Sequence, residues 1–412
     1  MEKVKLNRHF ISDIFFYQEG PGVRKWQFKD SGVKLINVGN INNGKIDLSS
    51  TKINISEEEA YGKYSHFLID EGDLLIACSG IVVENFHNKI AFIKKEHLPL
   101  CLNTSTMRFK ELPEKKGDLN FLKYFLQTND FKSQLRKLIT GSAQLNFGPS
   151  HIRKIEIPLP NLATQQRIAA ILDQADAIIQ NNRAIVQKYD ALTQSLFLEM
   201  FGDPVKNEKG WETKTIEQLV SKNKNSIKRG PFGGALKKEI FVEEGYLVYE
   251  QYHALNNDFS MERYFIDDKK FEELKGFEVK PKDIIISCSG VYLGKLAIVP
   301  KNAKKGIINQ ALLKVTIDES IMTNDFFVFH FSHKNFREKY FDANRGAGIP
   351  NFPPMSEFKK FPFIAPPIEL QNQFAERVAM IEAQKQQAQL ELAKSEELFQ
   401  SLLQRAFKGE LN

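Results

Sequence analysis

The feature that most constrains this chain is an internal duplication. The stretch DLLIACSG at Asp73–Gly80 returns as DIIISCSG at Asp283–Gly290. A second pair, IPLPNLATQQRIAAIL from Ile157 and FIAPPIELQNQFAERV from Phe363, lies downstream of each copy. A period of about 200 residues is far longer than that of a solenoid repeat. The duplication therefore predicts two mixed α/β domains built on one scaffold.

Each copy continues into a long amphipathic helix. Setting Pro160 on Pro366 also sets Gln165 on Gln371 without a gap. Thr164 is the predicted N-cap of the first helix, and Gly202 is its predicted stop. Apolar residues recur every seven positions in the first helix and alternate by four and three in the second, which is the pattern of helices that pair.

We predict that these helices pack on one another, with Lys385 and Ser395 as polar positions that fix the register. The alternative is that each helix packs on its own domain. The predicted contact residues are Ile171, Ile178, Ile185, Leu192, Phe374, Ile381, Leu392 and Phe399.

Composition indicates a globular chain without a disulfide framework. The 412 residues are 42% hydrophobic and 26% charged, which is typical of such proteins. The three cysteines show no CxxC spacing, which argues against a zinc ribbon and fits a reducing cytosol. The beginning of the chain has no signal-peptide core, and no apolar run reaches the ~20 residues that span a bilayer. We therefore expect a cytoplasmic protein.

The sequence lacks the motifs of common catalytic sites. It has no GxxxxGK[ST] loop, no GxGxxG after a strand, no HExxH and no GxSxG. The [DNS]PP[YFW] tetrad of an amino methyltransferase is also missing. His330 and His333 lie one turn apart and are interpreted as a partly exposed pair without a metal. We predict that the chain is not an enzyme and that it holds neither a catalytic residue nor a metal ion.

Two basic stretches are candidates for contact with nucleic acid. Lys222–Lys238 carries six basic residues and no acidic one, and its glycines at 230, 233 and 234 would let amides approach a phosphate. The first domain has a weaker counterpart in GPGVRKWQFK. The net charge of +6 permits such an anionic partner, although a solvated loop is the alternative. The predicted contacts are Arg24, Lys25, Lys228 and Arg229.

A second candidate is the Asn-Phe-x-Pro segment, which occurs as GSAQLNFGPS and RGAGIPNFPPMS. The amides of Gln144 and Asn146 suit an adenine edge, and Arg345 suits guanine. Ser142, in the same segment, is also a predicted contact. The alternative is a structural turn before the last strand of each domain.

The Cys-Ser-Gly turns are the third candidate. Cys78 and Cys288 are interpreted as buried apolar residues, because no base motif accompanies them. The residues just beyond the turns differ between the copies, so a common scaffold presents divergent loops. Contacts with DNA are predicted at Ser79, Ser289, Gln251 and Tyr292.

The two proline-to-glutamine helix entries and the ending LLQRAFKGEL resemble those of specificity subunits of type I restriction-modification systems. The resemblance covers essentially the whole chain. It implies an α+β fold with two target-recognition domains in tandem and two spacer helices, which pair as an antiparallel coiled coil with pseudo-twofold symmetry. The implied boundaries are 1–160 and 204–366 for the domains, and 161–203 and 367–412 for the helices.

The resemblance also implies function. Each domain would read one half of a bipartite double-stranded DNA site. Two methyltransferase subunits would modify adenine N6 with S-adenosylmethionine, and two restriction subunits would use ATP and Mg²⁺. No cofactor is expected on this chain itself. Alternatives are a specificity subunit of a type IIB-like system, a self-contained adenine methyltransferase, or a coiled-coil adaptor that does not touch DNA.

Overall fold

The chain forms two compact units. The computed structural model describes residues 6–49, 51–114, 116–139, 146–290, 292–342 and 352–411. The first unit comprises Met1–Ala184 with Gln389–Asn412, and the second comprises Ile185–Ala388. This division runs through both long helices, so it does not test the predicted boundaries at residues 160, 203 and 366, which stay predictions.

The first unit begins with a strand and ends in a long helix that continues into the second. Its strands are β1 (Asn7–Phe10), β2 (Phe15–Glu19), β3 (Val33–Ile36), β4 (Ile41–Asn42), β5 (Lys45–Ile46), β6 (Asn54–Ile55), β7 (Leu74–Ala77), β8 (Ile90–Phe92), β9 (Leu100–Leu102), β10 (Thr106–Glu111) and β11 (Glu156–Leu159). Its helices are α1 (Ile11–Ile14), α2 (Glu57–Tyr61), α3 (Leu119–Phe125), α4 (Asn129–Leu138), α5 (Pro149–Ile152) and α6 (Leu162–Phe201). Short 3-10 helices cover Lys25–Gln27, Val38–Asn40, Ser65–Phe67, Val83–Lys89 and Lys95–His97.

The second unit repeats much of this order. Its strands are β12 (Thr213–Thr215), β13 (Ile227–Arg229), β14 (Tyr246–Tyr249), β15 (Phe265–Ile266), β16 (Glu278–Val279), β17 (Ile284–Ser287), β18 (Leu296–Ile298), β19 (Gly306–Ile308), β20 (Leu312–Val315) and β21 (Pro362–Ile364). Its helices are α7 (Ile216–Leu219), α8 (Gln251–Asn256), α9 (Asp268–Glu273), α10 (Asn324–Ser332), α11 (Lys334–Arg337), α12 (Met355–Phe358) and α13 (Ile368–Phe407). The 3-10 helices are Gly233–Leu236, Lys238–Ile240 and Lys275–Phe277, and Glu338–Asp342 is a π-helix.

Each unit contains an antiparallel sheet of four strands, ordered β2-β10-β7-β8 in the first and β13-β20-β17-β18 in the second. A second, mixed sheet carries one parallel pair in each unit, β3 with β9 and β14 with β19. Because the two orders correspond strand for strand in the antiparallel sheet, the duplication seen in the sequence is a duplication of topology.

The repeated apolar stretch is an interior strand of that sheet, with both faces covered. In β7, Leu74 and Ile76 join one core cluster and Leu75 joins another, because successive side chains of a strand point to opposite faces. In β17, Ile284 and Ile286 face one cluster and Ile285 the other. This two-sided burial explains why both copies have an unbroken apolar run.

A buried glutamine ties each long helix to its own unit. Gln165 donates from Nε2 to the carbonyls of Lys116 and Pro160, both at 2.9 Å, and accepts from the amide of Asp118 at 2.9 Å. Gln371 makes the same three bonds, to the carbonyls of Ile321 and Pro366 and from the amide of Thr323. The alignment of these glutamines in the sequence thus reflects one structural role.

Three local predictions have different outcomes in the structure. The amide of Thr164 donates to Asn161 Oδ1 at 2.9 Å, so Asn161 does the capping predicted for Thr164. The end at Gly202 agrees with its positive φ of 76°. His330 is fully buried, so its interpretation as partly exposed is wrong. Its Nε2 accepts from the amide of Ile364 at 3.2 Å, and this bond explains a polar side chain in that core.

The long helices pack on one another in both units. In the first unit, Asn182 Nδ2 donates to Ser395 Oγ at 2.9 Å. In the second, Lys385 Nζ lies 2.7 Å from Asp190 Oδ1. The mixed α/β architecture with two pairing helices is therefore confirmed. Lys385 and Ser395 make polar contacts between the helices, as the register prediction requires.

No helix in the described part of the chain is long and apolar enough to cross a membrane.

Candidate functional site

The Cys-Ser-Gly turn of the first unit is held by the Asn-Phe-x-Pro segment. Asn146 Oδ1 accepts from Ser79 Oγ at 2.9 Å and from the amide of Gly80 at 2.8 Å. The amide of Phe147 donates to the carbonyl of Cys78 at 3.0 Å. The structure thus brings the predicted residues Ser79 and Asn146 together. The carbonyl oxygen of Asn146 is engaged within the protein, as the structural-turn alternative expects.

The second unit holds the equivalent turn with a different side chain. The amide of Phe352 donates to the carbonyl of Cys288 at 3.1 Å, which repeats the backbone bond of the first unit. Gln251 Nε2 donates to Ser289 O at 2.8 Å, to Ser287 Oγ at 2.9 Å and to Ser289 Oγ at 3.2 Å. The predicted residues Gln251 and Ser289 therefore lie together, and the amide oxygen of Gln251 remains as an acceptor.

The cysteines of the two turns are structural. Both are buried and free of disulfides. Burial raises the pKa of the Cys78 thiol and of the Cys288 thiol to about 12, so neither forms a thiolate near neutral pH. In the described residues, no group of three or more His, Cys, Asp or Glu side chains is arranged to hold a metal ion.

The basic stretch of the first unit forms an exposed patch beside a fixed turn. Arg24 and Lys25 are exposed, and Trp26 is 77% exposed. The buried side chain of Gln27 anchors them, because its Oε1 accepts from the amide of Arg24 and its Nε2 donates to Glu59 Oε1 at 2.7 Å. Two cations and an exposed indole on an anchored turn suit contact with a phosphate backbone.

The basic stretch of the second unit does not form a single surface. Lys228 and Arg229 are neighbours on β13 and so point to opposite faces. Lys228 Nζ lies 4.9 Å from the centre of the Phe277 ring, whereas the Arg229 guanidinium lies 5.3 Å from that of Phe232. The ring of Phe232 is 69% exposed.

Gly230 has a different role from the predicted one. Its amide donates to the carbonyl of Leu312 at 2.8 Å, so it does not face a phosphate. A Cβ atom at this position would lie 1.8 Å from the carbonyl oxygen of Asn309. The glycine is therefore required by close packing against a neighbouring turn, and the prediction that it approaches a phosphate is wrong.

Sequence reasoning missed one charged residue beside these turns, Glu19, whose position corresponds to that of the predicted contact Arg229. Glu19 ends β2 and Arg229 ends β13, and each is followed by Gly-Pro. Glu19 lies opposite Met107 in the ladder, and Arg229 lies opposite Leu313. The detectable signal is the spacing of the two Gly-Pro pairs, which equals the spacing of the two Cys-Ser-Gly turns.

Of the other residues predicted to contact DNA, the structure describes Tyr292 but not Ser142, Gln144 or Arg345. Tyr292 is 60% exposed just past Gly290, a glycine with a φ of 78°. Val82, at the corresponding place in the first unit, is also exposed. Ser142, Gln144 and Arg345 lie outside the described residues, so their contacts with DNA stay predictions.

The residues predicted for the helix seam differ in burial. Phe374 and Phe399 are buried, and Ile171, Ile381 and Leu392 are half-buried.

Ile178, Ile185 and Leu192 are instead exposed, Ile178 by 52% and Leu192 by 49%. The buried stripe of the first helix runs through Leu172 and Ile179 because the helix packs on its own unit as well as on α13. Apolar residues seven positions apart occur on several faces of this helix, and the spacing alone does not show which face is buried.

In the second unit, α6 and α13 also contact each other through aromatic residues, two of which were not among the predicted seam residues. The ring centre of Phe374 lies 5.7 Å from that of Phe197 and 5.3 Å from that of Phe201. All three side chains are buried. Because Asp190 meets Lys385 while the later Phe201 meets the earlier Phe374, α6 and α13 run antiparallel in this unit.

Comparisons with known proteins agree with this architecture. Residues 4–188 match the family described as type I restriction modification DNA specificity domain. The chain is 28% identical over 173 residues to the type I restriction enzyme MjaVIII specificity subunit of Methanocaldococcus jannaschii, across 42% of this chain and 40% of that protein. It is 22% identical over 411 residues to the EcoKI specificity subunit of Escherichia coli strain K12, across 93% and 83%. The resemblance to type I specificity subunits is confirmed.

A solved structure shows the same fold. The type I restriction-modification system S subunit from M. genitalium aligns with a TM-score of 0.50 at 16% identity, over 98% of this chain and 96% of that chain. The match to the MjaVIII specificity subunit spans less than half of that relative's length. The family match ends at residue 188, and the repeated hydrogen bonds around Cys288 extend the same scaffold into the second unit. Both curated relatives are named specificity subunits, which agrees with the prediction of a non-catalytic chain.

Proposed function

We propose that this chain is the DNA-specificity subunit of a type I restriction-modification complex and that it recognises a bipartite double-stranded site. The observation that supports this most is the turn repeated in both units. The carbonyls of Cys78 and Cys288 accept from the amides of Phe147 and Phe352, whereas the side chains around the two turns differ. One scaffold that presents two unlike sets of side chains suits the reading of two unlike half-sites.

The exposed charges and rings of each unit, taken separately, favour DNA over a protein partner. Arg24 and Lys25 supply cations on an anchored turn, and Trp26, Phe232 and Tyr292 are exposed aromatic rings. Cations that neutralise phosphates supply sequence-independent affinity, while polar groups near the turns supply base readout. An adaptor that does not touch DNA has no use for such a combination.

Partner subunits supply the chemistry in this proposal. Two methyltransferase subunits methylate adenine N6 with S-adenosylmethionine, and two restriction subunits use ATP and Mg²⁺, so this chain binds no cofactor. The side chains of Ile178, Ile185 and Leu192 recur every seven residues on α6 and are exposed, which supports a docking role for this helix. The complex would act in the cytoplasm, where the chromosome lies.

Methylome sequencing of the host with and without the gene tests the proposal. We expect one adenine-methylated motif, made of two defined parts with an undefined gap, to disappear when the gene is removed. A methylome that stays the same would contradict the proposal. The purified chain, incubated alone with duplex DNA and labelled S-adenosylmethionine, should transfer no methyl group. Transfer by the chain alone would support the methyltransferase alternative.

A further inference from the structure

Glu19 and Arg229 occupy the same backbone position in the two units. Glu19 is paired across the sheet with Met107, and Met107 is paired in turn with Ile76 of β7. Arg229 is paired with Leu313, which is paired with Ile286 of β17. Each residue is thus the last of an outer strand, two strands away from the strand that leads into the Cys-Ser-Gly turn.

The glycine that follows Glu19 and the glycine that follows Arg229 make equivalent backbone contacts in the two units. The amide of Gly20 donates to the carbonyl of Thr106 at 3.1 Å, and the amide of Gly230 donates to that of Leu312 at 2.8 Å. A Cβ atom at Gly20 would lie 2.4 Å from the backbone of Asn103, just as one at Gly230 would collide with Asn309. The two units therefore hold an acid and a base at one equivalent place with the same backbone packing.

Both charged residues lie beside the Cys-Ser-Gly turns of their own units. Cys78 Sγ lies 4.0 Å from Glu19 Oε1, and a Cβ atom at Gly148 would lie 3.2 Å from Glu19 Oε2. In the second unit, the positive charge of Arg229 acts on the thiol of Cys288 and opposes the rise that burial causes in its pKa. Each charged group is therefore next to the first residue of its own Cys-Ser-Gly turn.

Neither charge is neutralised within the described part of the chain. Glu19 is half-buried, and the weak Cys78 thiol is the one described donor to its carboxylate. Arg229 is also half-buried, and its Nε is enclosed without an acceptor. Buried cations on the strand next to each outer strand, by contrast, have acidic partners: Arg108 lies 3.3 Å from Asp73, and Lys314 lies 3.9 Å from Asp283. Because a half-buried charge without an ion-pair partner gains stability from a group of opposite polarity, both side chains are suited to bind a group from outside the chain.

We infer that Glu19 and Arg229 are specificity-determining residues that read base edges at corresponding places in the two half-sites. This inference rests on the proposed function. The Arg229 guanidinium donates to O6 and N7 of guanine, while the Glu19 carboxylate accepts from an exocyclic amino group, that of cytosine or of adenine. The opposite charges make the two half-sites differ at this place, and the exposed Phe232 ring, 5.3 Å from the Arg229 guanidinium, supports it by a cation–π contact.

Methylomes of hosts that carry single variants of the complete system test the inference. With Arg229→Gln, we expect relaxed preference for guanine at one position of one half-site, so that methylation of sites with another base there rises roughly tenfold to a hundredfold. With Glu19→Gln, we expect the same relaxation at one position of the other half-site, and the base lost shows whether cytosine or adenine supplied the amino group. Glu19→Arg should shift that position towards guanine.

Arg24→Gln serves as the comparison, because this exposed cation should weaken methylation of all sites equally. An unchanged motif in both the Glu19→Gln and Arg229→Gln variants would overturn the inference. So would a uniform loss across all positions in variants that melt at the wild-type temperature, since it would assign both charges to backbone contacts. Glu19→Gln keeps the shape of the side chain and carries the test if Glu19→Arg does not fold. A wild-type methylome without a two-part motif would instead refute the proposed function.

Discussion

The two units hold the same turn with different side chains, and the difference separates the shared backbone scaffold from the side chains that vary. Around Cys78, Asn146 bonds the turn from the segment that follows it, whereas Gln251 reaches Ser289 from a different helix, α8. The backbone bonds to the two cysteine carbonyls are the same in both units. Interactions made by the backbone repeat, and interactions made by exposed side chains do not.

A buried ion pair in each unit also repeats in position while one of its side chains differs. Asp73 accepts from the amide of Asp70, and Asp283 accepts from that of Lys280 at 2.8 Å, so both acids cap the turn before their strand. Arg108 pairs with Asp73, and Lys314 lies 3.9 Å from Asp283. Burial raises the pKa of both carboxyls, and the adjacent cations oppose that rise. The position of the cation repeats even though its identity changes.

The largest expected effect concerns the glutamines that anchor the helices. Gln165→Met and Gln371→Met each leave two carbonyls and one amide without their partner, which should lower the free energy of unfolding by about 3 kcal/mol. Gln194→Met, at an exposed position of α6, is the control and should be nearly neutral. Urea denaturation measures the size of each loss, and hydrogen exchange locates it. A loss of stability in only one of the two variants would contradict the conclusion that the glutamines have the same structural role in both units.

A smaller effect should set the units apart at acid pH. His330 follows the N-cap Thr323 of α10 by seven residues, and Phe125 holds that place after Asp118 in α3. Burial lowers the pKa of His330 to about 3, so the folded chain keeps the ring neutral while the unfolded chain protonates it below about 6.5. The neutral His330 ring therefore contributes to the free energy of unfolding above a pH of about 6.5, and this contribution is lost as the pH falls towards 3.

Between pH 7 and pH 5, that loss should amount to about 2 kcal/mol of unfolding free energy. Hydrogen exchange should find the loss in the second unit, because Phe125 does not titrate. His330→Gln keeps an acceptor for the amide of Ile364 and removes the titration, so its stability should fall less with acid. Equal acid sensitivity in the variant and the wild type would assign the effect to other groups.

The smallest expected effect is on DNA affinity. Arg24→Ala should weaken binding by about 1 kcal/mol or less for every sequence and should reduce the slope of log affinity against log salt by about 1. Lys228→Ala is the matched change in the second unit, where the ammonium lies over Phe277. Titrations of the assembled complex at several salt concentrations measure both slopes. A change in base preference with either variant would contradict a role limited to phosphates.

Part of what the duplication repeats was predictable from the sequence. The alignment of Gln165 with Gln371 and the helix stop at Gly202 were both predicted, because each leaves a local pattern. The exposure of Ile178 was not, because a seven-residue period defines several stripes and only tertiary packing selects one. The split between Lys228 and Arg229 needed the strand assignment of β13, since alternate side chains of a strand diverge.

The candidate site was less predictable than the fold. Ser79 and Asn146 were singled out separately, and their hydrogen bond depends on a contact between distant segments. Glu19 carries no sequence signal for contact with nucleic acid, because such contacts are predicted from basic residues. Its relation to Arg229 emerges from cross-strand register, which a single sequence does not display.

The most direct test of two separate readers is to lengthen the helices that carry them. One heptad inserted into α6 within residues 175–190 and one inserted opposite it in α13 add about 10 Å, the rise of roughly three base pairs. Methylome sequencing of this variant should find both half-sites unchanged and the gap between them longer. An unchanged gap, or a new sequence in either half-site, would contradict the account of two independent readers on a rigid spacer.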